Sequence, residues 1–307
     1  MKKGLILEPY KPRDYIFGGV TGITGEVLQE NGDWTSYLPL KEYQSGLTET
    51  MGCVSFSCNN VLETIYKKKF KEETNYSDRF LAKLSGTTKN GNTFTQVADT
   101  VRKQGLVLED KWSWNRETFN WDEFYLSIPT ELLQEANEWR IQYEVKYEWV
   151  IPTIDNLKEA LRYSPLQIGV YAWGEKKDDI YLRTDKQQNH AVVLFGYEDE
   201  NYWKIYDTYD EVIKYLAWDF SFTGALKFNL ELKKPMPDIP NNTLLQEVET
   251  SGTFGLYISN KIYIDEEGKL IATWLMRNKG DVKDKVQVVS LKTWDSIPHY
   301  NLKNQLI

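Results

Sequence analysis

The sequence predicts an α+β fold, because helical patterns fill its first half and strand patterns fill its second half. Apolar residues recur at helical spacing from Cys53 to about residue 70, and two more helical stretches run from Tyr76 to about Leu84 and from Thr95 to Gln104. From Tyr143 onward, short apolar or alternating runs dominate. Helices gathered before strands are typical of an α+β domain with two lobes.

Start and stop signals support the individual helices. Ser77 is a plausible cap for the second helix, and Gly105 closes the third. A fourth helical pattern lies near Pro129 to Tyr143, and a short one runs from Asp155 to Leu161. The helical half is therefore expected to contain several short, capped helices around a longer one.

The strand half reads as five segments. Tyr143 to Val150 alternates like a half-buried strand. The other four are apolar runs bounded by turn residues: Pro165 to Trp173, Ala191 to Tyr197, Tyr202 to Tyr206 and Ala225 to Leu232. The turn from Glu198 to Asn201 predicts that the segments on either side of it, Ala191 to Tyr197 and Tyr202 to Tyr206, pair as a hairpin.

The length and the proline pattern suggest four regions. At 307 residues, the chain allows one large domain and a small addition. We expect an N-terminal arm at 1–32, a main domain at 33–232, a linker with three prolines at 233–242, and a β-rich module at 243–307. The module reads as a three-stranded meander of Gly255 to Ile264, Leu270 to Arg277 and Val286 to Leu291.

Charge and composition exclude several functions. With 45 acidic and 37 basic residues, the chain lacks the basic surface that nucleic-acid binding needs. It has no secretory signal and no apolar run that is long enough to span a membrane, so we expect no membrane partner. Its two cysteines, Cys53 and Cys58, cannot build a disulfide framework. These features predict a cytoplasmic protein, or a virion component if a phage encodes it.

Cys53, His190 and Asp207 form a candidate nucleophilic site. Cys53 begins a helix, where unpaired N–H groups and the helix dipole favour a thiolate. A thiol nucleophile needs a base, and the chain has only two histidines, of which His190 stands at the entry of a buried strand and His299 is the weaker candidate. The predicted hairpin brings Asp207 beside His190, where its carboxylate can fix the tautomer of the imidazole.

The sequence around these residues resembles that of papain-like cysteine peptidases. Gly52 to Ser57 is similar to the family's Cys-Trp-Ala-Phe-Ser run, and Asn189 to Val192 is similar to its His-Ala-Val strand. The interval from Cys53 to His190 is 137 residues, which agrees with the roughly 130 to 150 residues of the family pattern. The resemblance covers about 33–232 and identifies the chain as a divergent, disulfide-free member, with a phage or bacterial source suggested by its composition.

The resemblance implies a fold, an activity and a further site residue. It implies a helical left lobe, an antiparallel barrel-like right lobe, and a peptide or protein substrate that is cleaved without a metal or a cofactor. Gln44, in Lys-Glu-Tyr-Gln-Ser-Gly, matches the glutamine that holds the oxyanion together with the nucleophile's own N–H. The arm at 1–32 is expected to cross the cleft, so that deleting it would raise turnover without changing thermal stability.

Three departures from the family pattern leave other functions open. Val54 replaces an aromatic residue, Asp207 replaces Asn, and Tyr209 replaces Trp. One alternative is a non-catalytic papain-like component, for example of a virus particle, with an assembly partner bound through 243–307. A second alternative is another acyl-transferring Cys-His-Asp enzyme, such as a transglutaminase or an amidase.

Overall fold

The computed structural model describes residues 3–11, 15–19, 25–209 and 211–233, together with the backbone of five strands between residues 243 and 301. The chain divides into two compact units, Met1–Lys233 and Lys234–Ile307. Each unit has its own sheet.

Helices of the first unit precede most of its strands. The α-helices among its described residues are α1 (Cys53–Phe70), α2 (Asp78–Leu84), α3 (Phe94–Gln104), α4 (Trp121–Phe124), α5 (Thr130–Gln142) and α6 (Ile154–Leu161). Short 3-10 turns lie at Thr35–Tyr37 and Glu109–Lys111.

An eight-stranded sheet forms the second half of this unit. Its strands are β1 (Tyr143–Val150), β2 (Leu166–Val170), β3 (Lys176–Lys177), β4 (Ile180–Tyr181), β5 (His190–Glu198), β6 (Tyr202–Tyr206), β7 (Ile213–Ala217) and β8 (Thr223–Leu232). They lie in the order β1-β8-β2-β5-β6-β7-β4-β3, and all neighbours are antiparallel except β4 and β7.

The core lies where α1 packs against β5. Residues from Cys53 to Ile65 of α1 are all buried, and β5 is buried from His190 to Gly196. A strand that is buried along this length has both faces covered, which explains why its sequence is continuously apolar rather than alternating. The candidate nucleophile and base therefore stand at the ends of two elements that pack directly together.

Most predicted elements of the first unit are confirmed within one or two residues. Ser77 caps α2 by accepting the Phe80 N–H at 3.2 Å, and Gly105 follows α3 with a positive φ of 88°. The predicted strand from Pro165 to Trp173 ends earlier, at Val170. The helical half and the antiparallel sheet agree with the predicted α+β class.

The strand β7 and the short pair β3 and β4 were not predicted. The sequence Ile-Lys-Tyr-Leu-Ala of β7 alternates, but its buried positions are Lys214 and Leu216. A lysine on the inner face contradicts the usual apolar-inward pattern, and this explains the missed strand. β3 and β4 have two residues each, which is too short for a periodic signal.

The second unit is β-rich, but its described strands differ from the three strands of the predicted meander. They are β9 (Thr243–Glu247), β10 (Phe254–Ile258), β11 (Lys261–Ile264), β12 (Val286–Val289) and β13 (His299–Asn301), in the order β12-β9-β10-β11-β13. The predicted strand from Gly255 to Ile264 is in fact the hairpin of β10 and β11, and β12 pairs with β9 in parallel. The predicted strand from Leu270 to Arg277 lies outside the described residues.

Candidate active site

Cys53 is held in place by the start of α1. The helix begins at Cys53 after Gly52, and the thiol side chain is fully buried. Gln167 on β2 donates from Nε2 to the Val54 carbonyl at 2.7 Å and to Ser57 Oγ at 2.9 Å. Since Gln167 is itself fully buried, these bonds fix the first turn of α1 against the sheet.

His190 is the first residue of β5 and faces Asp207. Its Nε2 lies 2.7 Å from Asp207 Oδ1, and both side chains are completely buried. Its other ring nitrogen, Nδ1, is buried and has no hydrogen-bond partner among the residues that the structure describes. One nitrogen is therefore oriented by a carboxylate and the other is left for proton transfer, which is the division of roles that a general base needs.

Asp207 follows β6 and is held from several sides. Its Oδ1 accepts the Thr208 N–H at 2.7 Å, and its Oδ2 pairs with Lys214 Nζ at 2.9 Å and accepts from Trp173 Nε1 at 3.1 Å. Burial acts to raise the pKa of this carboxyl, but the attraction of His190 and Lys214 outweighs burial and lowers the pKa to about 2. Asp207 is therefore a carboxylate at every ordinary pH.

Gln44 is joined to the segment that carries Asp207. Its backbone N–H donates to the Thr208 carbonyl at 3.0 Å, and its Oε1 accepts from Thr208 Oγ1 at 2.7 Å. Its Nε2, the predicted oxyanion donor, donates to Tyr209 OH at 3.0 Å and to Glu49 Oε1 at 3.2 Å. Tyr209 OH in turn donates to Glu49 Oε2 at 2.6 Å. The amide of Gln44 is therefore engaged by two residues that sequence reasoning did not connect with it.

Burial decides the ionisation of Cys53 in this conformation. It raises the pKa of the Cys53 thiol well above its ordinary value, and the negative charges of Glu49 and Asp207 act in the same direction, whereas the Ala191 backbone acts to lower it. Burial raises the pKa of Cys58 in the same way. The helix start alone predicts a thiolate, but the loss of water around the sulfur outweighs it here.

The N-terminal segment of residues 3–8 covers the site. Its backbone is hydrogen-bonded on one side to Asn92, through Ile6 N–H and the Gly4 carbonyl at 2.9 Å each. On the other side, Leu5 N–H donates at 3.2 Å to the carbonyl of Asn189, the residue before His190. Leu5 belongs to the same core cluster as Cys53. The segment therefore lies between β5 and the loop before α3 that contains Asn92, beside the candidate nucleophile.

Two glycines make this contact possible. A Cβ on Gly91 would lie 1.8 Å from the Gly4 carbonyl oxygen, and a Cβ on Gly4 would lie 2.3 Å from that of Met51. Both glycines also have positive φ, at 98° and 100°. No other residue type would allow the segment to approach the loop so closely.

Within the described parts of the chain, no group of three or more His, Cys, Asp or Glu side chains is arranged to hold a metal ion. In the same parts, no helix is long and apolar enough to cross a membrane. The side chain of His299 lies outside the described residues.

Two solved structures that share the fold of this chain are cysteine proteases of bacteria. The cysteine protease and lectin-like domains of Cwp84, a surface layer associated protein of Clostridium difficile, match with a TM-score of 0.57 and 16% identity over 76% of this chain. The cysteine protease xylellain from Xylella fastidiosa matches with a TM-score of 0.55 and 18% identity, over 76% of this chain and 97% of xylellain. This chain has a papain-like fold. It spans 57% of the length of the Cwp84 structure.

Comparison of the sequence alone does not reveal this fold. No protein-family model matches the chain, and no curated protein matches it. The papain-like fold is therefore visible in the structure and in a few short motifs, but not in the overall sequence.

Proposed function

We propose that the chain is a cysteine peptidase that cleaves peptide bonds through a thioester acyl-enzyme. The sulfur of Cys53 attacks the scissile carbonyl, and the oxyanion accepts hydrogen bonds from the Cys53 N–H and from Gln44 Nε2. The imidazolium of His190 gives its proton to the departing amine. His190 then takes a proton from the water molecule that hydrolyses the thioester, while Asp207 holds the ring in place.

The observation that carries this proposal is the buried His190–Asp207 pair beside the start of α1. The 2.7 Å contact leaves Nδ1 without a hydrogen-bond partner in the described structure, although Nδ1 is buried. A buried polar atom without a partner costs free energy, so such atoms are rare unless they have a function. An Nδ1 that exchanges a proton with a thiol or a leaving amine explains why it is left in this state.

The reaction requires the site to open. Cys53 is fully buried, and the Gln44 amide is occupied by Tyr209 and Glu49. Displacing the segment of residues 3–8 would admit water and substrate, and the solvated thiol could then transfer its proton to His190. The described conformation therefore corresponds to a resting state of the proposed enzyme.

Thiol labelling tests the proposal, and Cys58 provides an internal control. Both cysteines are fully buried, but Cys58 lies further along α1, away from His190. The protein is treated with iodoacetamide between pH 5 and pH 9, and labelling of each cysteine is followed by mass spectrometry. We expect Cys53 to react faster than Cys58 at pH values below 7, and His190→Ala to abolish the difference. Equal, slow labelling of both thiols, also in a protein without residues 1–7, would refute the peptidase.

A non-catalytic papain-like protein is the second candidate function. The occupied Gln44 amide and the raised pKa of Cys53 favour it, because both oppose catalysis in the described conformation. The same labelling experiment separates the two candidates. A protein that retains the fold for binding or assembly alone predicts no effect of His190→Ala on either thiol.

A further inference from the structure

Lys214 is a buried cation in direct contact with the candidate triad. Its side chain is 2% exposed, and its Nζ lies 2.9 Å from Asp207 Oδ2. It also donates to the Glu211 carbonyl and lies 5.3 Å from the centre of the Trp173 ring. A lysine is almost never buried to this extent unless it is paired, so its position depends on Asp207.

The sheet fixes the position of Lys214. On β7 it pairs with Ile205 of β6, two residues before Asp207, and the Asp207 N–H donates to the Val212 carbonyl at 2.7 Å. The carboxylate and the ammonium therefore lie at the same end of two hydrogen-bonded strands. Because the backbone determines this register, the pair persists whether the cleft is open or closed.

The two oxygens of the Asp207 carboxylate have different partners. Oδ1 contacts His190 and the Thr208 N–H, whereas Oδ2 contacts Lys214 and the Trp173 N–H. An unpaired buried carboxylate stabilises the protonated imidazole strongly, and so would weaken His190 as an acid towards the leaving amine. A positive charge on the other oxygen offsets this effect.

We infer that Lys214 is a positioning residue that neutralises Asp207, so that the carboxylate acts on His190 much as the uncharged amide oxygen of an asparagine would. This inference rests on the proposed function, in which His190 must both accept and release a proton. It explains how an aspartate can stand at a position where the family pattern has Asn. The negative charge at 207, which is a departure from that pattern, is compensated by the positive charge of Lys214.

Other groups near His190 remain constant in the test. The Tyr209 ring lies 5.1 Å from the His190 ring, Tyr209 contacts Glu49, and Lys3 lies over Tyr209 at 4.0 Å. Among the described residues, the titratable and charged groups at this end of the site include, besides Asp207 and Lys214, Cys53, Glu49, Tyr209, Tyr181, Glu211 and Lys3.

A double-mutant cycle on Lys214 and Asp207 tests the inference through the titration of the His190 ring. The His299→Gln background leaves one histidine, whose ring carbons are followed by NMR as a function of pH. We expect Lys214→Met to move the titration midpoint upward by about 1 pH unit and Asp207→Asn to move it downward. The double variant should return close to the parent midpoint. An unchanged midpoint in Lys214→Met would overturn the inference.

Controls separate this effect from misfolding and from failure of the proposed function. Lys227→Met removes another buried lysine, which pairs with Glu148 at 2.6 Å, and should leave the His190 midpoint unchanged. If Lys214→Met alone does not fold, Asp207→Asn and the double variant still measure the effect of Lys214, and equal midpoints in these two proteins would overturn the inference. The titration does not need turnover, so it remains decisive even if labelling of Cys53 refutes the peptidase.

Discussion

Tyr209 holds the amide of Gln44, the proposed oxyanion donor. Its hydroxyl accepts from Gln44 Nε2 at 3.0 Å and donates to Glu49 at 2.6 Å, so it closes a ring of three side chains. An oxyanion-hole donor must be directed at the developing charge when the reaction begins. In the described conformation the amide is directed at Tyr209 and Glu49 instead.

Removing the Tyr209 hydroxyl should therefore increase activity. Tyr209→Phe keeps the ring beside His190 but deletes one competing hydrogen bond, worth about 1 kcal/mol, so we expect kcat/KM for a peptide ester to rise about fivefold. Tyr206→Phe is the matched control, because its hydroxyl donates to the Leu40 carbonyl at 2.6 Å and not to Gln44. Lower activity in Tyr209→Phe than in the control would mean that the hydroxyl assists the reaction.

The sequence predicted Cys53, His190, Asp207 and Gln44, but it did not predict what surrounds them. The first three were predicted because each stands at the end of an element with a clear local pattern. Glu49, Lys214 and Trp173 were missed as neighbours of the site, and the bond between Tyr209 and Gln44 was not predicted. These contacts depend on tertiary structure, and the Gln44–Tyr209 bond joins residues that are 165 positions apart. Only the three departures from the family pattern signalled that the surroundings of His190 had changed.

At the scale of elements, the N-terminal segment of residues 3–8 is the part of the fold that we expect to limit access to Cys53. Three backbone hydrogen bonds hold Gly4, Leu5 and Ile6 between Asn92 and Asn189. The rest of the arm has a different role, since Phe17 is 9% exposed and its N–H donates to the Trp149 carbonyl at 2.8 Å. Deletion of all 32 residues would also remove core packing, so we now expect it to lower the stability of the protein as well.

Deleting residues 1–7 is the sharper experiment. It removes the three hydrogen bonds over the cleft but keeps Glu8, whose Oε1 accepts the Thr95 N–H at 2.7 Å. Losing several bonds of about 1 kcal/mol each should raise the open population, and with it the rate of Cys53 alkylation, by about tenfold or more. Cys58 labelling should remain slow.

A substitution on the same arm provides the control for this deletion. Tyr15→Ala changes a side chain that is 64% exposed and should leave the labelling rate of Cys53 unchanged. If the truncated protein labels at the rate of the full chain, the segment does not limit access to the thiol.

At the scale of the whole molecule, the order of helical and strand patterns in the sequence predicted the fold class. It did not predict where charged side chains lie inside the fold. Four carboxyl side chains interact in the helical half: Glu63 and Asp78 are buried, and Glu42 and Glu109 are partly buried. Glu63 Oε1 accepts the Tyr76 N–H at 2.7 Å, and Asp78 Oδ1 accepts from Asn59 Nδ2 at 2.8 Å. Nothing in their spacing along the chain shows that they meet, because they come from four separate segments.

This acidic group should make the protein more stable in mild acid. Burial, assisted by mutual repulsion, raises the pKa of Glu42, Glu63 and Asp78 well above the ordinary value, and burial raises the pKa of Glu109 to about 7. The folded state therefore binds more protons than the unfolded state. The stability that comes from Glu109 is fully present below about pH 4.5 and is lost as the pH rises through about 7.

Urea unfolding at pH 5 and pH 8 measures this effect. We expect the free energy of unfolding to fall by about 1 to 3 kcal/mol between the two pH values. Asp207, with its lowered pKa, is ionised at both and does not contribute to the difference. Glu63→Gln should reduce the fall because it removes one ionisable member of the group. Glu159→Gln, at a surface ion pair with Arg162, should leave it unchanged. A fall of equal size in Glu63→Gln and in the wild type would assign the pH dependence to the net negative charge of the chain instead.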